Sequence, residues 1–331
     1  MTPPILFPAD TPPCTFSKTS HEARKSNILL GSAVRILLVL ALFFLTNQYL
    51  IPFLIPFPSA FMRRFLLKPW LLLGLIVSLG TASSCSKDGD GVLLFSVEDD
   101  IALGQKVAAE TDSTFRAKGQ LLEPGSNPTA YAALGRIVTR VLDSGKLQYR
   151  NDFPWDVKII RDDQVQNAFA TPGGHIYVYS GLIKYLDNET ELAGVLGHEI
   201  AHADRRHSTQ QLQQQYGTSL LLGLVLGNRS SNQLVQIAAG LGQLKFSRGF
   251  ETEADKYSTI YLNGTRYYSC DGAAGFFIKA EKQGGAGTPE FLSTHPNPGS
   301  RIQNIQRSAQ QLGCAGKNVS NANFEELKRL L

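Results

Sequence analysis

The chain has 331 residues, with 32 Lys and Arg against 28 Asp and Glu. The excess positive charge sits at the front: residues 1–84 hold seven of the basic residues and two of the acidic ones, which leaves 25 against 26. The remainder is near neutral, which argues against a nucleic-acid-binding field, and it is long enough to bury one sizeable core.

Only two methionines occur, Met1 and Met62. From Met62 the chain reads "MRRFLLKPWLLLGLIVSLGTASSC": a basic start, an apolar run from Trp70 to Leu79, then small residues up to Cys85. This is the layout of a secretory signal over residues 62–84, with an apolar core too short to span a bilayer. "TASSC" resembles the end of a bacterial lipoprotein signal, although Ala82 stands where such signals usually carry Leu. That resemblance makes Cys85 the lipid anchor and places the chain in the cell envelope, facing the periplasm and held to a membrane, in all expectation the outer one. Residues 1–61 are then either a membrane segment, with an apolar stretch around 28–46 broken by Arg35, or an upstream extension of a gene that starts at Met62. The complete signal that follows favours the second. Residues 85–97 form a polar tether, and 98–331 form the folded domain.

Within that domain, apolar residues from Glu98 to Lys118 fall near helical spacing, and "EPGSNP" ends the element. A second helix is expected over Pro128–Leu142. "WDVKIIRD" reads as a strand, and so does "GGHIYVYSGLI" after its Pro-Gly-Gly turn, with Ile176 and Val178 on one face and Tyr177 and Tyr179 on the other. If Gly174, His175, Ile176, Tyr177 and Val178 form an exposed sheet edge, an extended substrate can pair with them. A long helix opens at Asn188, a suitable N-cap, with Glu189 and Glu191 in its first turn. "TSLLLGLVLGN" is too short to span and reads as a buried helix, followed by helices over about 232–246, 247–262 and after "STHPNPGS". Cys270 and Cys314 remain as one pair able to form a disulfide in an oxidising compartment.

Residues 194–207 read "GVLGHEIAHADRRH" and contain His198, Glu199 and His202 in the order H-E-x-x-H. Four helical residues turn through about 400°, so the two imidazoles point the same way and can share one zinc ion. Glu199 lies about 100° aside, where a base for water activation belongs. A third ligand is needed. His207 lies about 180° around the helix from His198, and no glycine follows His202 to turn the chain, so His207 is expected to support the helix end or a ligand rather than to be one. In "SRGFETEAD", Glu251 and Asp255 share a helix face and Glu253 points elsewhere. If Glu251 binds the ion, Asp255 can hydrogen-bond the far nitrogen of a ligand histidine.

These motifs, together with "NAFATPGGHIYVYSGLI" before them and "STHPNPGSRI" after them, run in one order from Phe153 to Ile305. They resemble the zinc peptidase family that includes the CAAX prenyl protease, HtpX, the mitochondrial Oma-type peptidase and BepA. The resemblance implies an α+β, zincin-like metallopeptidase domain, mainly helical, with a small mixed sheet packed on the H-E-x-x-H helix. It implies one Zn2+ held by His198, His202 and Glu251, with Glu199 as base and Asp255 behind a ligand histidine. His295 would be a latch over the metal, an oxyanion donor or a turn residue. Arg301 would bind the developing anion or lie solvated on a helix surface. The implied activity is a zinc endopeptidase acting on unfolded or misassembled envelope proteins, and the alternative is a chaperone or assembly factor whose protease activity is latched.

Overall fold

Ser96 starts the first helix with a capping box: its hydroxyl accepts from Asp99 N, and the Asp99 carboxylate accepts from Ser96 N. The computed structural model describes residues 93–228, 231–283, 289–295, 299–314 and 319–331, all within the compact unit Cys85–Leu331. The expected extension, signal, Cys85 anchor and most of the tether lie outside the described residues.

The elements run α1 (Val97–Ala117), β1 (Leu121–Leu122), α2 (Pro128–Leu142), β2 (Asp156–Ile160), β3 (Ala168–Ala170), β4 (His175–Tyr179), α3 (Ser180–Tyr185) and α4 (Glu189–Asp204). Then come α5 (His207–Tyr216), α6 (Thr218–Val225), α7 (Ser231–Gly240), α8 (Arg248–Thr265), α9 (Gly272–Gln283), α10 (Phe291–Thr294), α11 (Arg301–Gln311) and α12 (Ala322–Leu330). A short 3-10 turn over Leu241–Gln243 follows α7, so the helix expected over 232–246 stops early.

The sheet order is β1-β2-β4-β3, with β2 and β4 parallel and the other two pairs antiparallel. This corrects the expectation of a free edge at Gly174–Val178. Strand β4 is hydrogen-bonded on both sides, with Ile176 paired to Val157 on one and Ala170 on the other. Beyond β4 the outer strand is β3, only three residues long and too short to show a period in the sequence. The strand also ends at Tyr179, and "SGLI" already belongs to α3.

Period-2 alternation divides the core. Ile159, Ala168, Ala170, Ile176 and Val178 face one cluster with α2, α4, α8 and α9. Ile160, Phe169 and Tyr177 face another with α1, α6 and α7. In α6 only Leu221 and Leu224 are fully buried and Leu226 just beyond is exposed, so this helix buries one face rather than all of itself. No helix among the described residues is long and apolar enough to cross a membrane.

Helix α4 lies in the middle and is buried almost all round, which fits its apolar flanks "LAGVLG" and "IA". Its glycines let neighbours approach: a Cβ at Gly194 would stand 2.1 Å from Ala273 N of α9, and one at Gly197 would stand 2.9 Å from Ser258 Oγ of α8. Ser258 also donates to Gly194 O at 2.9 Å. These contacts seat α8 directly on the helix that carries the histidines. Cys270 and Cys314 are joined by a disulfide, Cα–Cα 5.6 Å, which ties the start of α9 to the end of α11.

Candidate metal centre

Asn188 caps α4, its side chain accepting from Glu191 N at 2.9 Å. The helix then runs unbroken through His198, Glu199 and His202. Helix α8 is capped by Ser247, which accepts from Phe250 N, and carries Glu251 and Asp255 one turn apart. Its packing on α4 brings both carboxyls to the histidines. His295 follows α10, and Arg301 opens α11.

The donor atoms of His198, His202, Glu251 and His295 all lie within 4.8 Å of one another, and all four residues are buried. His198 Nε2 is 3.0 Å from His202 Nε2, 3.3 Å from His295 Nδ1 and 3.4 Å from Glu251 Oε2. Glu251 Oε1 is 3.5 Å from His202 Nε2 and 3.0 Å from His295 Nδ1. Donors placed 2.0–2.1 Å from one ion at tetrahedral angles stand roughly 3.3–3.4 Å apart. Three nitrogens and a carboxylate at these spacings therefore fit a divalent ion such as zinc. Among the protein groups themselves, burial pushes the His198 imidazole down, yet its bonds to Asp255 and Glu251 outweigh burial and raise its pKa to about 9. Burial likewise opposes the charged form of Glu251, but His295, His198 and His202 hold its carboxyl well below the usual range. The carboxylates call for positive charge at this point, which an ion would supply.

Glu199 is fully buried, and neither of its oxygens makes a hydrogen bond. His295 Nε2 lies 3.5 Å from its Oε1. Burial raises its pKa, against the pull of His295 and His198. An ionisable group left without a hydrogen bond at full burial is costly, and such groups mark functional sites.

Asp255 Oδ1 is 3.0 Å from His198 Nδ1, the nitrogen away from the cluster. Arg301 is 2% exposed, which overturns the surface-solvation alternative. Its Nε and Nη2 fork onto Asp255 at 2.7 and 2.6 Å. Its Nη1 pairs with Glu251 Oε2 at 2.8 Å and donates to His295 O at 3.2 Å. It thus ties together Asp255, Glu251 and the backbone of His295.

His207 stays outside the cluster, though for a different reason from the one the sequence suggests. The chain does turn after α4, without glycine, because Arg206 adopts φ 64°. That conformation is held by Arg206 donating to Asp100 Oδ2 at 2.6 Å, Phe95 O at 2.7 Å and Ser96 O at 2.8 Å. Phe246 and Phe291 are further residues the sequence gives no signal for. The first stacks on His202 with centroids 3.9 Å apart, the second on His295 at 4.2 Å, and together they shield the rings.

A buried helix presenting two imidazoles and an acid, backed by a small mixed sheet and crossed by a second helix that brings a carboxylate, is the zincin-like metallopeptidase fold. A family model described as peptidase family M48 matches residues 128–309, which include the whole cluster. The chain is 34% identical over 173 residues to the beta-barrel assembly-enhancing protease of Yersinia pestis, covering 48% of this chain and 35% of that protein. The corresponding Escherichia coli K12 protein is 32% identical over 173 residues, with the same shares. The mitochondrial metalloendopeptidase OMA1 of Schizosaccharomyces pombe is 32% identical over 193 residues, 57% of this chain and 55% of that one. The chain belongs to peptidase family M48. It spans between 35% and 55% of the length of these curated relatives.

Proposed function

We propose that this chain is a zinc-dependent endopeptidase of the bacterial cell envelope, lipid-anchored through Cys85, that hydrolyses peptide bonds of unfolded or misassembled proteins. The observation that carries the hydrolase reading is the buried carboxylate of Glu199, which makes no hydrogen bond, beside a four-donor cluster. A structural zinc site closed by four ligands needs no such base. His198, His202 and Glu251 would hold the ion, and Asp255 would fix the tautomer of His198. A bound zinc ion supplies acidified water and polarises a carbonyl. Glu199 takes the proton of the attacking water on its carboxylate and returns it to the leaving amine. Its raised pKa suits both halves of that transfer.

His295 acts as a latch. Its Nδ1 lies among the donors of His198 and Glu251, where it would fill the position that substrate and water need, and Phe291 packs on its ring. The near-complete burial of all these groups also favours a second reading, an assembly factor for envelope proteins whose protease is held closed.

The test pairs two variants with zinc content and casein cleavage. Glu199→Gln should keep its zinc and lose at least about 100-fold in cleavage; wild-type activity in this variant would remove Glu199 from the chemistry. His295→Ala should keep zinc on three donors and cleave faster than wild type, whereas slower cleavage would make His295 a transition-state donor and not a latch. Rescue of a deletion strain by Glu199→Gln would favour the assembly reading.

A further inference from the structure

The two ligand histidines of α4 are supported differently. His198 meets a carboxylate directly, through Asp255. His202 turns Nε2 toward the cluster, and its other nitrogen, Nδ1, lies 3.2 Å from Nδ1 of His207. The far side of His207, Nε2, lies 3.3 Å from Glu253 Oε2, and Glu253 Oε1 accepts from Arg205 Nε at 2.9 Å. His207 is 1% exposed and stacks on Phe250, centroids 4.5 Å apart.

Proton placement along this row follows from the metal-facing end. If His202 ligates through Nε2, that atom carries no proton, so its Nδ1–H donates. His207 Nδ1 must then accept, which puts the His207 proton on Nε2, where it donates to Glu253. Every donor meets an acceptor with both rings neutral and the carboxylate ionised. The opposite tautomer of His207 would set two N–H groups against each other at 3.2 Å inside a buried site.

We infer that His207 and Glu253 form a relay that fixes the tautomer and ring orientation of His202, so that His207 is a positioning residue delivering a carboxylate to the second ligand through an intervening imidazole. The inference rests on the metal-site reading above. It explains why the chain accepts a left-handed arginine at 206: the turn there is what swings His207 back onto His202. It also gives Glu253, which the helix geometry sends away from the ion, a place in the same network. Removing the outer partner of a ligating histidine typically costs 10–100-fold in metal affinity.

The test uses the full chain, with zinc affinity read by chelator competition and the site read by the visible spectrum of the cobalt-substituted protein. His207→Phe keeps a ring against Phe250 and removes both hydrogen bonds. It should bind zinc at least about 10-fold more weakly and shift the cobalt bands. His207→Gln, whose amide oxygen can accept from His202 Nδ1, should recover part of the affinity. Glu253→Leu should weaken zinc in the same direction, and it carries the test if His207→Phe does not fold. Unchanged affinity and an unchanged spectrum in the folded variants would overturn the relay while leaving the zinc site standing. A wild-type chain that binds no zinc would overturn both.

Discussion

Arg301 is a cation almost wholly out of water, and the two carboxylates it grips offset its desolvation. Asp255 takes both prongs of the fork, and Glu251 takes the remaining nitrogen. The same guanidinium lies over the face of Phe277, 4.3 Å from the ring centroid. Breaking a buried pair by deleting one partner leaves the other charge stranded. Arg301→Met should therefore lose about 3–5 kcal/mol in denaturant unfolding of the zinc-free protein. Arg301→Lys should recover little, because an ammonium cannot fork across two oxygens. A stability within about 0.5 kcal/mol of wild type would mean that Arg301 is dispensable to the cluster. This role was half legible in the sequence. "HPNPGSRI" marks the residue, but nothing in the chain says that α11 lays it against the backs of the ligands. Asp255 was easier, because a helix of known period places it one turn from Glu251.

At the scale of elements, the disulfide matters because of what it holds. It closes a segment 44 residues apart in sequence that includes α9, α10, His295 and α11 with Arg301. Loop-closure entropy for that length amounts to about 4 kcal/mol, and measured values for natural bridges run about 2–5. Cys270→Ser with Cys314→Ser should lower the melting temperature accordingly, and reductant should do the same to wild type. A variant that melts with wild type would mean the segment is held by packing alone. The elements that period and caps made legible were the long ones: α2 spans Pro128–Leu142 as its spacing indicates, and α4 opens at its Asn188 cap. Helix α9 was not legible, because it opens with glycines that weaken any helical signal. They are required by packing, since a Cβ at Gly272 would stand 2.3 Å from Thr190 O and one at Gly275 2.5 Å from the Glu191 side chain. The internal position of β4 was illegible for a related reason. Which strand is outermost depends on a three-residue partner from another part of the chain, and alternation within one strand carries no information about its neighbours.

For the molecule as a whole, a metal ion held by the four-donor cluster would cross-link parts of the chain that are far apart in sequence. Its donors come from positions 198, 202, 251 and 295, on α4, on α8 and after α10. An unfolded chain brings only the H-E-x-x-H pair near one ion, so on the proposed reading zinc would bind the folded state in strong preference and stabilise it by mass action. At free zinc 100-fold above its dissociation constant the gain is about 2.7 kcal/mol. For a domain of this size that is a rise in melting temperature of roughly 5–10 °C. Stripping the zinc with a chelator should lower the transition by that amount, and zinc should restore it. Glu199→Gln should show the full shift, because Glu199 lies outside the donor cluster and the proposed reading makes it the base. His295→Ala should show a smaller one, because a donor has been removed. A chelator that leaves the transition of zinc-loaded protein where it was would mean that the four donors do not close on an ion in the folded chain, however well their spacing suits one.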